Sequence, residues 1–397
     1  MASGILSGIT VLDLTRVMSG PYCTLMLADM GARVIKIEHP RRGDDTRAWG
    51  PPFVAGESVY FLSVNRNKES LTVDFKDPDG RRILDALVAR ADVLVENFQP
   101  GTLKRLGLDY ESLAPRVPRL VYASISGYGH TGPLKNLPGY DAVAQAEGGL
   151  MSITGDPDGP PYRLGLPIAD LAAGLFAAQG VLLALLARAS TNRGRHVDIS
   201  MFDSVAGLLT YQAANYLATG HNPPRMGNAH ASIVPYGTFD TRDGQLMLAV
   251  GNDDQWQRFC GVAGMPELAN DVRFATNPQR VANRELLWPI VAQVLSARDR
   301  DDWTERLRAV AVPCGPVRTI GEMMADAQLE ARGMLGSVHH PTAGNVRLLA
   351  NPVKLSNTPA LPDTPAPLLG QHTEAILTGE LGMSAEEFGE LRRRQVV

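Results

Sequence analysis

Hydrophobic positions fall into two textures along the chain. In the first half, short apolar runs alternate with stretches of helical spacing. Ile9–Leu14, Val34–Ile37, Ser70–Phe75, Asp92–Glu96, Arg119–Ser124 and Arg195–Ser200 read as strands. Between them, Gly20–Met30 has helical spacing and Gly31 ends it, while Pro78 fits the first turn of a helix running to about Arg90. Strand, helix, strand at this spacing implies right-handed crossovers and a parallel sheet covered on both faces. The longest apolar stretch, Leu171 to Ala187, is interrupted by Gly174, Gln179 and Gly180. It falls short of the ~20 residues that span a bilayer, so a helix buried inside a domain is expected. A further helix is predicted over Met201–Thr219.

Near Gly220–Pro224 the texture changes. Phe239–Leu246 reads as a hairpin with Asp243-Gly244 at its turn. Polar amphipathic helices fit near Asn252–Ala263 and Ala282–Leu295. The expected architecture is therefore α/β: a large Rossmann-like parallel-sheet domain over 1–224 and a small α+β domain over 225–325. The segment 326–397, with its Pro-rich stretch 359–367, is too short for its own core and is expected to return to the large domain.

Composition narrows the function. The chain has 397 residues, 44% hydrophobic and 20% charged, which fits a folded globular protein. A net charge of −4 argues against a nucleic-acid partner. Three dispersed cysteines, Cys23, Cys260 and Cys314, support neither a disulfide framework nor a zinc site and suit a reduced, cytoplasmic protein. The N-terminus has neither a basic stretch nor a long apolar run, so no secretory signal and no membrane partner is expected.

The parallel sheet invites a dinucleotide reading, but Thr15-Arg-Val-Met-Ser-Gly-Pro21 after the first strand carries no GxGxxG. A phosphate loop, a GxSxG elbow and an HExxH are also missing. The histidines are scattered, no metal site is expected, and the His339-His340 pair is expected to be solvated. Asp170 is the residue of local interest, an acid at the mouth of the apolar helix. It could be an N-cap. A carboxylate beside so much apolar sequence is also costly to bury unpaired, and on a rigid helix start facing a cleft it could act as a nucleophile.

The chain resembles the family III CoA-transferases, the group of formyl-CoA transferase and carnitine CoA-transferase. The likeness covers nearly the whole chain. It is carried by Val11-Leu-Asp-Leu14, Ser19-Gly-Pro21, Gly31-Ala-Arg-Val-Ile-Lys-Ile-Glu38, Gly43-Asp-Asp-Thr-Arg47, Asn65-Arg-Asn-Lys68, Asp92-Val-Leu-Val-Glu-Asn-Phe98, Gly139-Tyr-Asp-Ala-Val-Ala-Gln145, Asp170 and Leu368-Leu-Gly-Gln-His-Thr373. Trp49-Gly-Pro-Pro-Phe53, Ser63–Lys68 and Ser232-Ile-Val-Pro-Tyr236 bring it nearest to the branch that moves CoA from succinyl-CoA to glutarate.

The resemblance implies that Asp170 attacks a donor acyl-CoA, forming an anhydride and then an aspartyl-CoA thioester that an acceptor carboxylate resolves. A carboxylate with the ordinary pKa of ~3.9 would need no general base. No permanently bound cofactor is implied; the coenzyme A thioester is itself the substrate. Carried-over binding positions are Val17, Met18 and Ser19 in the first strand-to-helix turn, His39, Leu71, Thr72, Asn97, Phe98, Arg105, Tyr140 and Asp141. Leu71 and Phe98 could instead be core, and Arg105 a solvated surface residue. Formyl-CoA transferase has Gln at the position of Met18, and the family often has Arg at that of His39, whose phosphate contact Arg41 or Arg42 could supply. His230–Tyr236 stands where formyl-CoA transferase has a glycine-rich covering loop. A dicarboxylate acceptor would need a cation, with Arg47, Arg66 and Arg163 as candidates, each of which could instead sit in a structural ion pair. The resemblance further implies an interlocked homodimer. α-Methylacyl-CoA racemase shares the fold, but its motif has His where this chain has Tyr140, and a phenol with pKa ~10 is a poor base for a carbon acid.

Overall fold

The computed structural model describes residues 4–356 and 363–397. Its largest sheet has six parallel strands: β1 (Thr10–Asp13), β2 (Arg33–Glu38), β3 (Lys68–Thr72), β4 (Val93–Glu96), β5 (Val121–Ser126) and β6 (His196–Ser200). They lie in the order β3-β2-β1-β4-β5-β6. The order reverses between β1 and β4, the place where doubly wound sheets open a crevice at their carboxyl ends.

Both faces of the sheet are apolar. Val11, Val34, Val93, Val95 and Val121 point one way, onto α1 (Ser19–Asp29) and a long helix, Ile168–Thr191. Leu12, Ile35, Leu94 and Tyr122 point the other way, onto a layer that includes Ile83, Leu84 and Leu87 of Pro78–Val88. The period of two along strands buried on both faces explains why they read as near-continuous apolar runs. The C-terminal segment closes on the β3 edge, where the Thr72 amide donates to Thr373 Oγ1 at 3.0 Å.

The chain divides into two compact units. One comprises Met1–Leu150, Arg163–Gly220 and Glu330–Val397; the other comprises Met151–Tyr162 and His221–Leu329. The division differs from the sequence expectation in drawing Met151–Tyr162 into the second unit. That unit has an antiparallel sheet of Tyr236–Asp240, Gln245–Ala249 and Cys314–Pro316 over a core with Phe239, Trp256 and Phe259. Its hairpin turns at Asp243-Gly244 as expected, with the Thr241 amide donating to Gly244 O at 2.8 Å.

Three expectations are corrected. The apolar helix runs 24 residues, Ile168–Thr191, longer than expected and by length and composition alone enough to cross a membrane, although Ala169, Ala173, Ala177 and Val181 pack into the core as a domain helix should. The helix predicted over Met201–Thr219 breaks in two, Met201–Leu208 and Thr210–Thr219, at Thr210 with φ +39°. A β-branched residue at positive φ cannot continue a right-handed helix. His340 is 1% exposed, not solvated, because it ends the inner face of the strand Leu335–His340 and its Nδ1 accepts the Thr342 and Ala343 amides. Residues 359–362 of the Pro-rich stretch lie outside the described residues.

Candidate active site

The site grows from the turn between β1 and α1. Val17 holds φ +69°, a strained conformation for a β-branched residue. Its surroundings fix it there. The Val17 amide donates to both Asp44 carboxylate oxygens at 3.2 and 3.3 Å. Asn97, just past β4, clamps Arg16 from both sides: the Arg16 amide donates to Asn97 Oδ1 at 2.9 Å, and Asn97 Nδ2 donates to Arg16 O at 2.7 Å.

Below the turn lies a buried charge network. Lys36 Nζ reaches Thr15 O at 2.9 Å and Asp44 at 2.8 Å. Lys68 Nζ reaches Asp13 at 3.1 Å and, at 2.9 Å each, Pro21 O and Asn65 Oδ1. Burial pushes the Asp13 carboxyl up, but Lys68 and Lys36 with the Thr15 and Thr24 hydroxyls outweigh it and hold it well below the usual range. Burial also lowers the Lys68 ammonium to about 8 against the pull of Asp13.

Asp170 stands on the other side of the turn, as the third residue of Ile168–Thr191. It is not the N-cap, because Pro167 holds that position without a side-chain bond. The helix start is served instead by Asp141, whose Oδ1 accepts the Ala169 amide at 2.8 Å and the Asp170 amide at 3.4 Å. Burial raises the Asp170 carboxyl first and the nearby Asp141 charge second, to about 6; hydrogen bonds from the hydroxyl and amide of Ser19 pull the other way. The ordinary carboxylate pKa expected from the sequence is therefore corrected upward. At pH 7 the group is still about 90% ionised by simple titration.

Two glycine contacts set this geometry. A Cβ on Gly174, one helical turn beyond Asp170, would lie 2.6 Å from Ser19 O, so the long helix meets the start of α1 backbone to backbone there. A Cβ on Gly139 would lie 2.2 Å from the Gly127 Cα, so the loop before Asp141 can press onto the end of β5.

A cleft of about 230 Å³ opens above Asp170, lined by the turn Arg16–Ser19, by Asn97–Pro100 after β4, by Ser126 and Gly127, and by Tyr140 and Asp141. This is the crevice at the switch in strand order. A neighbouring cavity of about 290 Å³ is lined in part by His39, Arg42, Lys76, Phe98 and Leu103. Arg16, Asp45 and Phe98 line both.

Of the residues singled out in the sequence, Val17, Met18, Ser19, Asn97, Phe98, Tyr140, Asp141 and Asp170 thus meet in one cleft, and His39 lines its neighbour. Leu71 is fully buried in the core, and the Thr72 amide bonds Thr373. Arg105 is exposed beside the second cavity and does not line it. Arg47 pairs with Glu38 at 2.7 Å and lies over the Phe61 ring. Arg66 pairs with Asp29 at 2.5 Å. Both arginines are locked by buried or nearly buried carboxylates and line neither cavity. Arg163 is exposed and donates to Leu164 O at 3.1 Å.

Sequence reasoning passed over three residues. Arg16 lay inside the quoted turn, immediately before the residues carried over. Lys76 and Tyr60 had no local signal. Burial first, then the charge of Asp170, raises the Tyr60 phenol to about 12.

The CoA-transferase family III model matches residues 6–373. The chain is 45% identical to succinyl-CoA:glutarate CoA-transferase of Mus musculus, over 94% of this chain and 85% of that protein. It is 44% identical to acetyl-CoA:oxalate CoA-transferase of Acetobacter aceti, over 89% of this chain and 90% of that one. Among solved structures, a CAIB/BAIF family protein from Brucella suis aligns with TM-score 0.86 at 42% identity, covering 96% of this chain and all of that one.

Proposed function

The chain belongs to CoA-transferase family III and is a CoA-transferase, and we propose that it moves CoA from succinyl-CoA to a dicarboxylic acid with Asp170 as the nucleophile. The observation that carries the proposal is the Asp170 carboxylate, held by Ser19 at the switch-point cleft and raised to about 6. A carboxylate short of stabilising partners yet still ionised at neutral pH is a capable nucleophile. Both named relatives act on acceptors with two carboxylates, glutarate and oxalate, which supports the diacid class.

The steps balance without a further reactant. An Asp170 oxygen bonds the thioester carbon and the C–S bond breaks, giving a mixed anhydride and CoA thiolate. The thiolate attacks the Asp170 carbonyl carbon, releasing the donor acid and leaving an aspartyl-CoA thioester. The acceptor carboxylate attacks that thioester and expels the thiolate. The thiolate then attacks the acceptor's acyl carbon, giving the new acyl-CoA and free Asp170. The scheme calls for no resident cofactor. The Ser19 amide and the amides opening α1 suit the oxyanion that each attack creates. The cations Arg42 and Lys76, with His39, suit the phosphates of CoA in the adjoining cavity.

Two finer readings accompany this one. Leu175, Leu183 and Leu186 on the long helix are 50%, 59% and 72% exposed, which favours a second copy of the chain packing there as a homodimer. Three free cysteines fit a reducing, cytoplasmic setting.

The test is transfer from succinyl-CoA to glutarate, with mass spectrometry of Asp170 after hydroxylamine trapping. The wild-type chain is expected to yield an Asp170 adduct, and Asp170→Ala to lose at least ~10³-fold in kcat, the scale on which covalent catalysis depends on its nucleophile. An Asp170→Ala protein of undiminished rate would refute the assignment.

A further inference from the structure

A dicarboxylate bound for reaction places one carboxylate at Asp170 and must hold the other away from it. When the acceptor binds, Asp170 is tied up as the CoA thioester, and the acidic side chains left lining the cleft are Asp45 and Asp141. Against them, Arg16 is the one Lys or Arg among the described residues lining the cleft. A second carboxylate left unpaired among those acids would be repelled, so whichever cation lines the cleft decides between one-headed and two-headed acids. Arg47 and Arg66, the candidates suggested by sequence, are committed to Glu38 and Asp29.

We infer that Arg16 grips the remote carboxylate of the acceptor and makes the enzyme selective for dicarboxylates. The inference rests on the transferase reading above and deepens it. The backbone of Arg16 is immobilised by the two Asn97 hydrogen bonds, so its side chain starts from a fixed point. Its guanidinium lies 5.4 Å from the centre of the Phe98 ring, which supports its plane on one side. Its partner, also lining the cleft, is Asp45, at 3.1 Å through Nη1. The two side chains are 49% and 46% exposed. An ion pair this exposed contributes little and is readily exchanged. The planar fork of a guanidinium matches a carboxylate through two parallel N–H bonds, which a single bond to Asp45 leaves largely free. An incoming diacid would therefore replace Asp45 as the partner of Arg16.

The experiment compares glutarate with pentanoate, the same chain with one carboxylate, as acceptors for the full-length protein. The readout is acceptor kcat/KM, which in a ping-pong reaction does not depend on the donor; pentanoate is read as a competitor where its turnover is too slow. Arg16→Met is expected to lower the glutarate-to-pentanoate ratio about 10- to 100-fold, the scale of a lost charge-assisted hydrogen bond. Arg16→Lys should keep part of the ratio. Asp45→Asn should raise it, by freeing Arg16 and removing a like charge. Equal loss for both acids in Arg16→Met, or a change confined to the affinity for free CoA, overturns the inference. If Arg16→Met does not fold, Asp45→Asn decides alone, and an unchanged ratio there overturns it too. A wild-type protein that transfers CoA from succinyl-CoA to neither acid would instead sink the succinyl-CoA-to-diacid reading, so the two failures are distinguishable.

Discussion

Asp13 and Asp170 lie on opposite sides of the same turn, and their chemistry diverges. Asp13 is fully buried, yet Lys68 at 3.1 Å and the Thr24 hydroxyl at 2.7 Å keep it ionised far into acid. Asp170 is only partly buried, but no cation lies within ion-pair distance among the described residues, and Asp141 stands close by. Its carboxyl rises to about 6. Burial acts upward on both; the partners decide the outcome. A carboxylate whose charge is fully answered becomes part of the scaffold. One whose charge is only partly answered keeps the reactivity that a nucleophile needs. The turn needs both, since Asp13 holds Thr15 and Thr24 around it while Ser19 reaches across to Asp170.

The contrast can be broken most forcefully from below. Lys68→Met strands the Asp13 charge in the core and should cost about 3–5 kcal/mol of stability, read from urea unfolding at pH 7. Adding Asp13→Asn should recover more than half of that. A loss under ~1 kcal/mol in the single variant would show that the network is not the scaffold of the turn.

A smaller effect sharpens the other side. As the proposed nucleophile, Asp170 would have to be ionised to attack, so kcat/KM for the donor should be full above its folded pKa and fall as pH drops through about 6. The stability linkage has the opposite sign. The folded chain holds this proton more tightly than the unfolded chain, so the contribution of Asp170 is best at low pH and is lost as pH rises through about 6. An acid limb near 4, measured by pH–rate profile, would remove the distinction between the two carboxyls.

The smallest expected effect is Asp141→Asn. It removes the like charge but leaves an oxygen to accept the Ala169 and Asp170 amides. The acid limb should move down by roughly 0.5–1 unit with little change in melting temperature, since burial, the larger cause, remains. A limb that stays in place would assign the whole shift to burial.

Much of the scaffold was legible because β1, β2, β4 and β5 are buried on both faces and their apolar runs stand out locally. Asp170 was legible as an acid out of place, but its role as nucleophile came from resemblance. What escaped depended on distance along the chain. Asp141 serves a helix start 28 residues further on. Pro167 took the cap that composition alone would have given to Asp170. His340 is buried because of its place in a hairpin, which residue type could not reveal. Motifs such as Asn65-Arg-Asn-Lys68 and Gly43-Asp-Asp-Thr-Arg47 turned out to hold the turn and its neighbours from beneath: Lys68 on Asp13, Asp44 on Val17, Arg47 on Glu38. Spacing shows that such residues are grouped; it does not show whether they face a ligand or each other.

The bare backbone at Gly174 carries a practical consequence for redesign. The reach from Ser19 to Asp170 is governed by a missing methyl group: even an alanine there would wedge between the helix and the Ser19 carbonyl. Libraries meant to widen acid tolerance should therefore spare this crossing and vary the rim around Arg16, the proposed point of acceptor selection, without prying the Asp170 carboxylate from its donors on Ser19.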